Sequence, residues 1–176
     1  YWYRAAMSRS DNKDPTKYPL VFYHGTSPGW LAYAAIVQSL SNHDYDRDVF
    51  LINLDCIKIK SLSFTMPCNE EHADGVADIL KTHKVSKVSV VGHSFGTIAA
   101  AWFIKRHPEL ISHITLLDSV SLLLFFPDVA YAFLYRAPTS FSEWVIYLGA
   151  AQEITISYTL YRNFWWYNNL LFLEDI

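Results

Sequence analysis

The stretch Val90-Val91-Gly92-His93-Ser94-Phe95-Gly96-Thr97 sets a serine between two glycines, two places from each. The hydrophobic segment ahead of it reads as a buried strand, and the alanines at 99 to 101 read as a helix that packs closely. A strand that turns sharply into a helix lifts the serine out of the backbone. It also leaves the serine at the positive end of the helix, beside N–H groups without intrahelical partners. Side chains at 92 and 96 would collide across so tight a bend. A serine hydroxyl attacks a carbonyl only when a base takes its proton. Ser94 is therefore the candidate nucleophile, and the competing reading is a serine in a structural turn.

Working outward, Tyr18 to Gly25 reads as a strand, residues 30 to 40 as a helix and residues 48 to 59 as a second strand. Residues 67 to 83 form a helical pattern that opens at Pro67, with Glu70 and Glu71 suited to its N-terminal end. Residues 87 to 92 are a third strand, 95 to 107 a helix stopped by Pro108, and 111 to 118 a fourth strand. Residues 5 to 17 are turn-rich and polar. The alternation predicts an α/β fold, a mostly parallel sheet with flanking helices joined by right-handed crossovers. Active groups in such sheets gather at the carboxyl ends of strands. His24-Gly25, Gly92 to Gly96 and Asp118 all fall there. After Asp118 the strand pattern stops, and aromatics crowd the chain from Phe125 to Tyr167. The expected division is a core over residues 1–118 and a helical, aromatic-rich lid over 119–176.

With 176 residues, 52% of them apolar and 16% aromatic, the chain can bury a core and is not disordered. A net charge of −3 without a lysine-arginine run excludes a nucleic-acid footprint. Cys56 and Cys68 are too few for a disulfide framework and are either bridged or free. Cys68 and His72 lie four apart without a second ligand pair, which is not a zinc pattern. No glycine-rich nucleotide motif follows a strand. No cofactor is expected. The first residues lack an apolar core of signal-peptide length, and the run from Ile114 to Leu134 is broken by Asp118, Pro127 and Asp128. An intracellular or membrane-associated chain is the expectation.

A second device is His24-Gly25-Thr26-Ser27-Pro28-Gly29-Trp30. A tetrahedral oxyanion needs two preorganised N–H donors, and losing one costs roughly 10²–10³ in rate. The amides of Phe95 and Thr26 are the candidates. The alternative is that Gly25 and Gly29 only permit a turn into the helix.

The segment LVFYHGTSPG, followed some seventy residues later by VSVVGHSFGT, resembles the α/β-hydrolase superfamily over Tyr18 to Asp118. The later PDVAYAFLYR and RNFWWYNNLLFLED resemble the lid region of a fungal and protist subgroup. The resemblance implies Ser94 as nucleophile, Phe95 and Thr26 as oxyanion donors and His24 as a loop-orienting residue, with Gly25 in the same loop. It implies an order of serine, acid, histidine along the chain. Histidines stand at 24, 43, 72, 83, 93, 107 and 113, so none follows a plausible acid. His43, His72 and His83 are expected at surface positions, and His107 and His113 on the sheet edge opposite the site. Asp118 is a candidate acid, whose other role would be to accept hydrogen bonds from the lid backbone. The expectation is that the histidine and the usual acid lie beyond Ile176 and that strands before Tyr18 are also lacking. Such a piece would have little activity, an open sheet edge and exposed apolar surface.

Two functions are compatible with this reading. One is a serine hydrolase acting on a small-molecule ester or acyl-lipid substrate, with acyl transfer to another alcohol or peptide cleavage using the same parts. The other is a non-catalytic hydrolase-fold protein that binds a ligand, or touches a membrane surface through an exposed Trp165–Trp166 pair. The aromatic lid fits an apolar acyl chain and fits ordinary core packing equally.

Overall fold

The computed structural model describes residues 1–6, 17–28, 30–42, 47–59 and 64–176. Gly29 and His43 lie outside the described residues, as does most of the polar segment expected between 5 and 17. Five strands form one sheet in the order β1-β3-β2-β4-β5. They are β1 (Trp2–Arg4), β2 (Leu20–Tyr23), β3 (Val49–Ile52), β4 (Val88–His93) and β5 (Ile111–Leu117). The pairs β3–β2, β2–β4 and β4–β5 are parallel, as the alternating sequence pattern requires. Strand β1 pairs antiparallel with β3, Trp2 opposite Leu51. A strand ahead of Tyr18 is a correction to the sequence reading. Three residues are too few to show a period of two, and their pairing is supplied by β3 rather than by local pattern.

Every residue of β2 and β3 is buried, because helices or loops cover both faces of the central sheet. Alternate side chains separate into two layers. Val21, Tyr23, Phe50 and Ile52 join the larger core, whereas Leu20, Phe22, Val49 and Leu51 join a smaller one with Tyr33. Two helices, α2 (Asn69–Thr82) and α3 (Gly96–Arg106), pack on the larger layer. Gly96 to Ile104 of α3 are all buried, which the small side chains Ala99, Ala100 and Ala101 permit. Helix α1 (Ala34–Asn42) follows a 3₁₀ turn over Trp30–Tyr33. Leu31, Ala34 and Ala35, whose near-helical spacing suggests this helix, are exposed, and Tyr33 is the residue that enters the core.

Residues 119–176 contain no strand and hold α4 (Pro127–Leu134), α5 (Phe141–Ile146) and α6 (Ile154–Tyr158). Both α5 and α6 continue into a π-turn. This segment shares the larger core through Leu124, Leu134, Ile156, Leu160, Phe164 and Leu171. Hydrogen bonds to the rest of the chain tie it down, among them Thr159 Oγ1 to the Cys56 carbonyl (2.9 Å), Trp102 Nε1 to Asn169 Oδ1 (2.6 Å) and Lys105 Nζ to the Leu170 carbonyl (2.6 Å). Among the described residues no helix is long and apolar enough to cross a membrane.

Cys56 and Cys68 are both free thiols, the first buried and the second exposed. Two histidines expected at the surface are not there. His72 is half-buried between the rings of Tyr23 and Trp102, and His83 packs on Tyr3 and Phe50. Each lies on the sheet-facing side of α2 or at its C-terminus, where an aromatic neighbour from another element fills the space, and local sequence does not announce that neighbour. His107 is half-buried at the end of α3, bound with Arg106 to Asp74. His113 is exposed on edge strand β5. The Trp165–Trp166 pair is divided: Trp165 is exposed, and Trp166 turns inward against Phe164 with ring centroids 4.8 Å apart.

Candidate active site

Strand β4 runs into α3 through Ser94, whose φ of +52° places it in the left-handed region. For a residue with a β-carbon that conformation is strained and persists only when neighbours impose it. Three hydrogen bonds do so. Ser94 N donates to the Leu117 carbonyl at the end of β5 (2.9 Å), while Thr97 N (2.9 Å) and Thr97 Oγ1 (2.7 Å) donate to the Ser94 carbonyl. Thr97 Oγ1 also accepts from Ser121 N at 3.3 Å, joining the turn to the start of the 119–176 segment.

Space decides the two flanking glycines. A β-carbon at Gly96 would overlap the Tyr23 carbonyl of β2, and one at Gly92 would lie 2.9 Å from the Gly96 carbonyl oxygen. Gly25 is held as tightly. A β-carbon there would stand 2.8 Å from Tyr33 Oη and 2.9 Å from Ser94 Cβ. The loop after β2 therefore touches the serine itself.

His24 explains how that loop is oriented. It is fully buried, and its Nε2 accepts from Leu54 N at 3.0 Å, so the proton sits on Nδ1 and is donated to the Gly25 carbonyl at 2.7 Å. Burial holds this imidazole neutral by lowering its pKa from the ordinary value. Ser27 Oγ donates to the same carbonyl at 3.0 Å. In a trans peptide the carbonyl and the following N–H point in opposite directions. Pinning the Gly25 carbonyl therefore fixes the direction of the Thr26 N–H. The Gly25 N–H donates to Tyr33 Oη (2.9 Å), which in turn lies 2.8 Å from His93 Nδ1.

Thr26, Ser94, Phe95 and Asp118 line one cavity of about 560 Å³. Among the described residues, the backbone N–H groups of Thr26 and Phe95 have no protein partner, and neither does Ser94 Oγ. Asp118 ends β5 with φ at +49°, is exposed, and its carboxylate has no partner among the described residues. Among the described residues it accepts no hydrogen bond from the backbone of 119–176, the alternative role considered for it. No described histidine meets Ser94 Oγ: His24 and His93 are engaged elsewhere.

The rest of the wall is mostly apolar. It includes Ile98, Leu123, Phe133, Leu160, Phe164 and Trp166, with Arg136 and Glu143 as its charged members besides Asp118. Tyr33 and Thr97 are the site residues that sequence reading missed. Their signal is weak, because each acts through a hydroxyl placed by a distant element.

The sequence matches the model of the alpha/beta hydrolase fold over residues 18–174. It is 27% identical over 120 residues to a probable alcohol acetyltransferase from Cyberlindnera fabianii, covering 62% of this chain and 29% of that protein. Among solved structures, a carboxylesterase from Nitrososphaera gargenis superposes with a TM-score of 0.53 at 16% identity, covering 91% of this chain and 67% of the other. A probable hydrolytic enzyme from Pseudomonas aeruginosa PAO1 gives 0.51 at 14% identity, covering 82% and 56%. The chain thus spans under a third of the length of the curated relative. With the strand order, the turn at Ser94 and the family match in agreement, the chain belongs to the α/β-hydrolase fold family.

Proposed function

We propose that Ser94 is the nucleophile of a serine hydrolase acting on a carboxylic ester or an acyl lipid. The reading rests on one observation: a serine hydroxyl on a left-handed turn shares a largely apolar cavity with two backbone N–H groups that lack partners among the described residues. Ser94 Oγ attacks the acyl carbon and gives its proton to a base. The carbonyl electrons move onto oxygen, held by the N–H groups of Thr26 and Phe95. The bond to the alcohol breaks, the alcohol leaves with a proton, and water then releases the acid from the acyl-serine. Asp118 is the carboxylate we assign to orient the base, and the family's order of groups makes that base a histidine. Among the described residues no side chain is placed to take the proton from Ser94. Residues 119–176 act as the lid that closes the cavity.

A second use of the same acyl-enzyme is favoured by the relative described as a probable alcohol acetyltransferase. An apolar wall holds back water and admits an alcohol, so the acyl group passes to that alcohol. A fluorophosphonate probe tests the common core. Incubated with the protein, it labels the wild type and not Ser94→Ala. A folded protein that takes no label refutes the catalytic reading and leaves a binding module. Adding ethanol or a longer alcohol during ester turnover then divides the two uses, since a new ester appears only with acyl transfer.

A further inference from the structure

The cavity wall carries three charged side chains, one cation and two carboxylates: Arg136, Glu143 and Asp118. Arg136 Nη2 donates to Glu143 Oε1 at 2.9 Å. The other carboxylate oxygen, Glu143 Oε2, accepts from Thr139 N (2.7 Å) and Thr139 Oγ1 (2.9 Å). These contacts tie the connection between α4 and α5 into a closed loop, and Ser140 adds an N-terminal cap by accepting from Glu143 N at 3.3 Å. The Thr139 backbone N–H first, and the other partners after it, hold the Glu143 carboxyl below its ordinary pKa. It is therefore charged at neutral pH.

We propose that Glu143 is a specificity-determining residue: by cancelling Arg136 within the cavity wall, it makes the pocket select uncharged apolar substrates and reject those bearing a carboxylate. This rests on the proposed function for its meaning in catalysis, but the selection itself is a property of binding. A carboxylate brought against this mostly apolar wall loses water and needs a cation in return. Among the described residues the one cation of the wall, Arg136, is already paired, and Asp118 adds a second like charge. With Glu143 neutral, the planar guanidinium of Arg136 can meet a carboxylate with two parallel N–H bonds.

The test uses a matched pair of ligands, octan-1-ol and octanoate, titrated calorimetrically into the protein at neutral pH. The wild type binds octan-1-ol tighter than octanoate by about tenfold or more, in line with a pair of charges that is partly exposed. Glu143→Gln keeps an oxygen for Thr139 and removes the charge. It tightens octanoate by about tenfold and leaves octan-1-ol within about twofold. Arg136→Gln does the opposite, weakening octanoate further, and the double variant loses the gain. Because Arg136→Gln leaves the Thr139 contacts in place, it gives an answer even if Glu143→Gln misfolds. Equal binding of the two ligands by the wild type, or equal shifts of both ligands in either variant, overturns the proposal. Discrimination without any ester turnover or probe labelling would refute the hydrolase reading alone.

Discussion

At the scale of single residues, His24 shows how a buried polar group can serve a site it does not touch. Both ring nitrogens are used, one on Leu54 N and one on the Gly25 carbonyl, so it is unable to act as the base. Its effect passes through the Gly25–Thr26 peptide to the Thr26 N–H. If that N–H stabilises the oxyanion, His24→Ala should lower kcat by about 10²-fold with KM little changed, since a misaimed donor matters most when charge develops. His24→Asn can still donate to the Gly25 carbonyl and should recover part of kcat, although both variants lose the Leu54 contact and melt earlier. Steady-state kinetics on one ester, beside thermal melts of the three proteins, separate the catalytic effect from the structural one. A parallel fall of kcat in both variants would rule out the positioning role.

At the scale of elements, the turn from β4 to α3 is overdetermined, and this is why it was legible. Gly92 and Gly96 are required by backbone atoms that approach closer than a β-carbon allows, and spacing alone announces them. The helices at 69–82 and 96–106 and the four parallel strands were equally readable, the inner strands as unbroken apolar runs and the helices from their length, composition and end signals. Strand β1 was not, since three residues carry no period and depend on β3 for their hydrogen bonds. Nor was the inward turn of Trp166 or the burial of His72, because each depends on a ring from a remote segment. Thr97 belongs to this class too. Its hydroxyl bridges the Ser94 carbonyl and Ser121 N, linking the turn to the 119–176 segment. Thr97→Val keeps the shape and leaves a buried carbonyl and a buried N–H with fewer partners. It should destabilise the fold by about 1–2 kcal/mol, seen as a melting temperature lower by roughly 2–8 °C for a chain of this size. Gly96→Ala, which forces a β-carbon onto the Tyr23 carbonyl, should cost about 3 kcal/mol or more and yield far less folded protein. A Thr97→Val protein that melts with the wild type would show that the turn is held by its backbone bonds alone.

At the scale of the whole molecule, the sheet and α2 bury a histidine that must stay neutral. His72 lies against Tyr23 and Trp102, its Nε2 is buried without a partner among the described residues, and burial lowers its pKa to about 4. In the unfolded chain it titrates near 6.5. Between those values the unfolded state binds the proton and the folded state does not, so stability rises with pH through this window. The contribution is fully present above about 6.5 and is lost by about 4, a swing on the order of 3 kcal/mol. His24, also lowered by burial, acts in the same direction. His72→Phe removes one titrating group and the unpaired nitrogen while keeping an aromatic ring between Tyr23 and Trp102. Urea melts at pH 7.5 and pH 4.5 should then show a smaller loss of stability on acidification than in the wild type, with the remainder owed to His24 and to the carboxylates. An unchanged pH slope in His72→Phe would mean that the nitrogen is solvated in the folded protein and that acid sensitivity arises elsewhere.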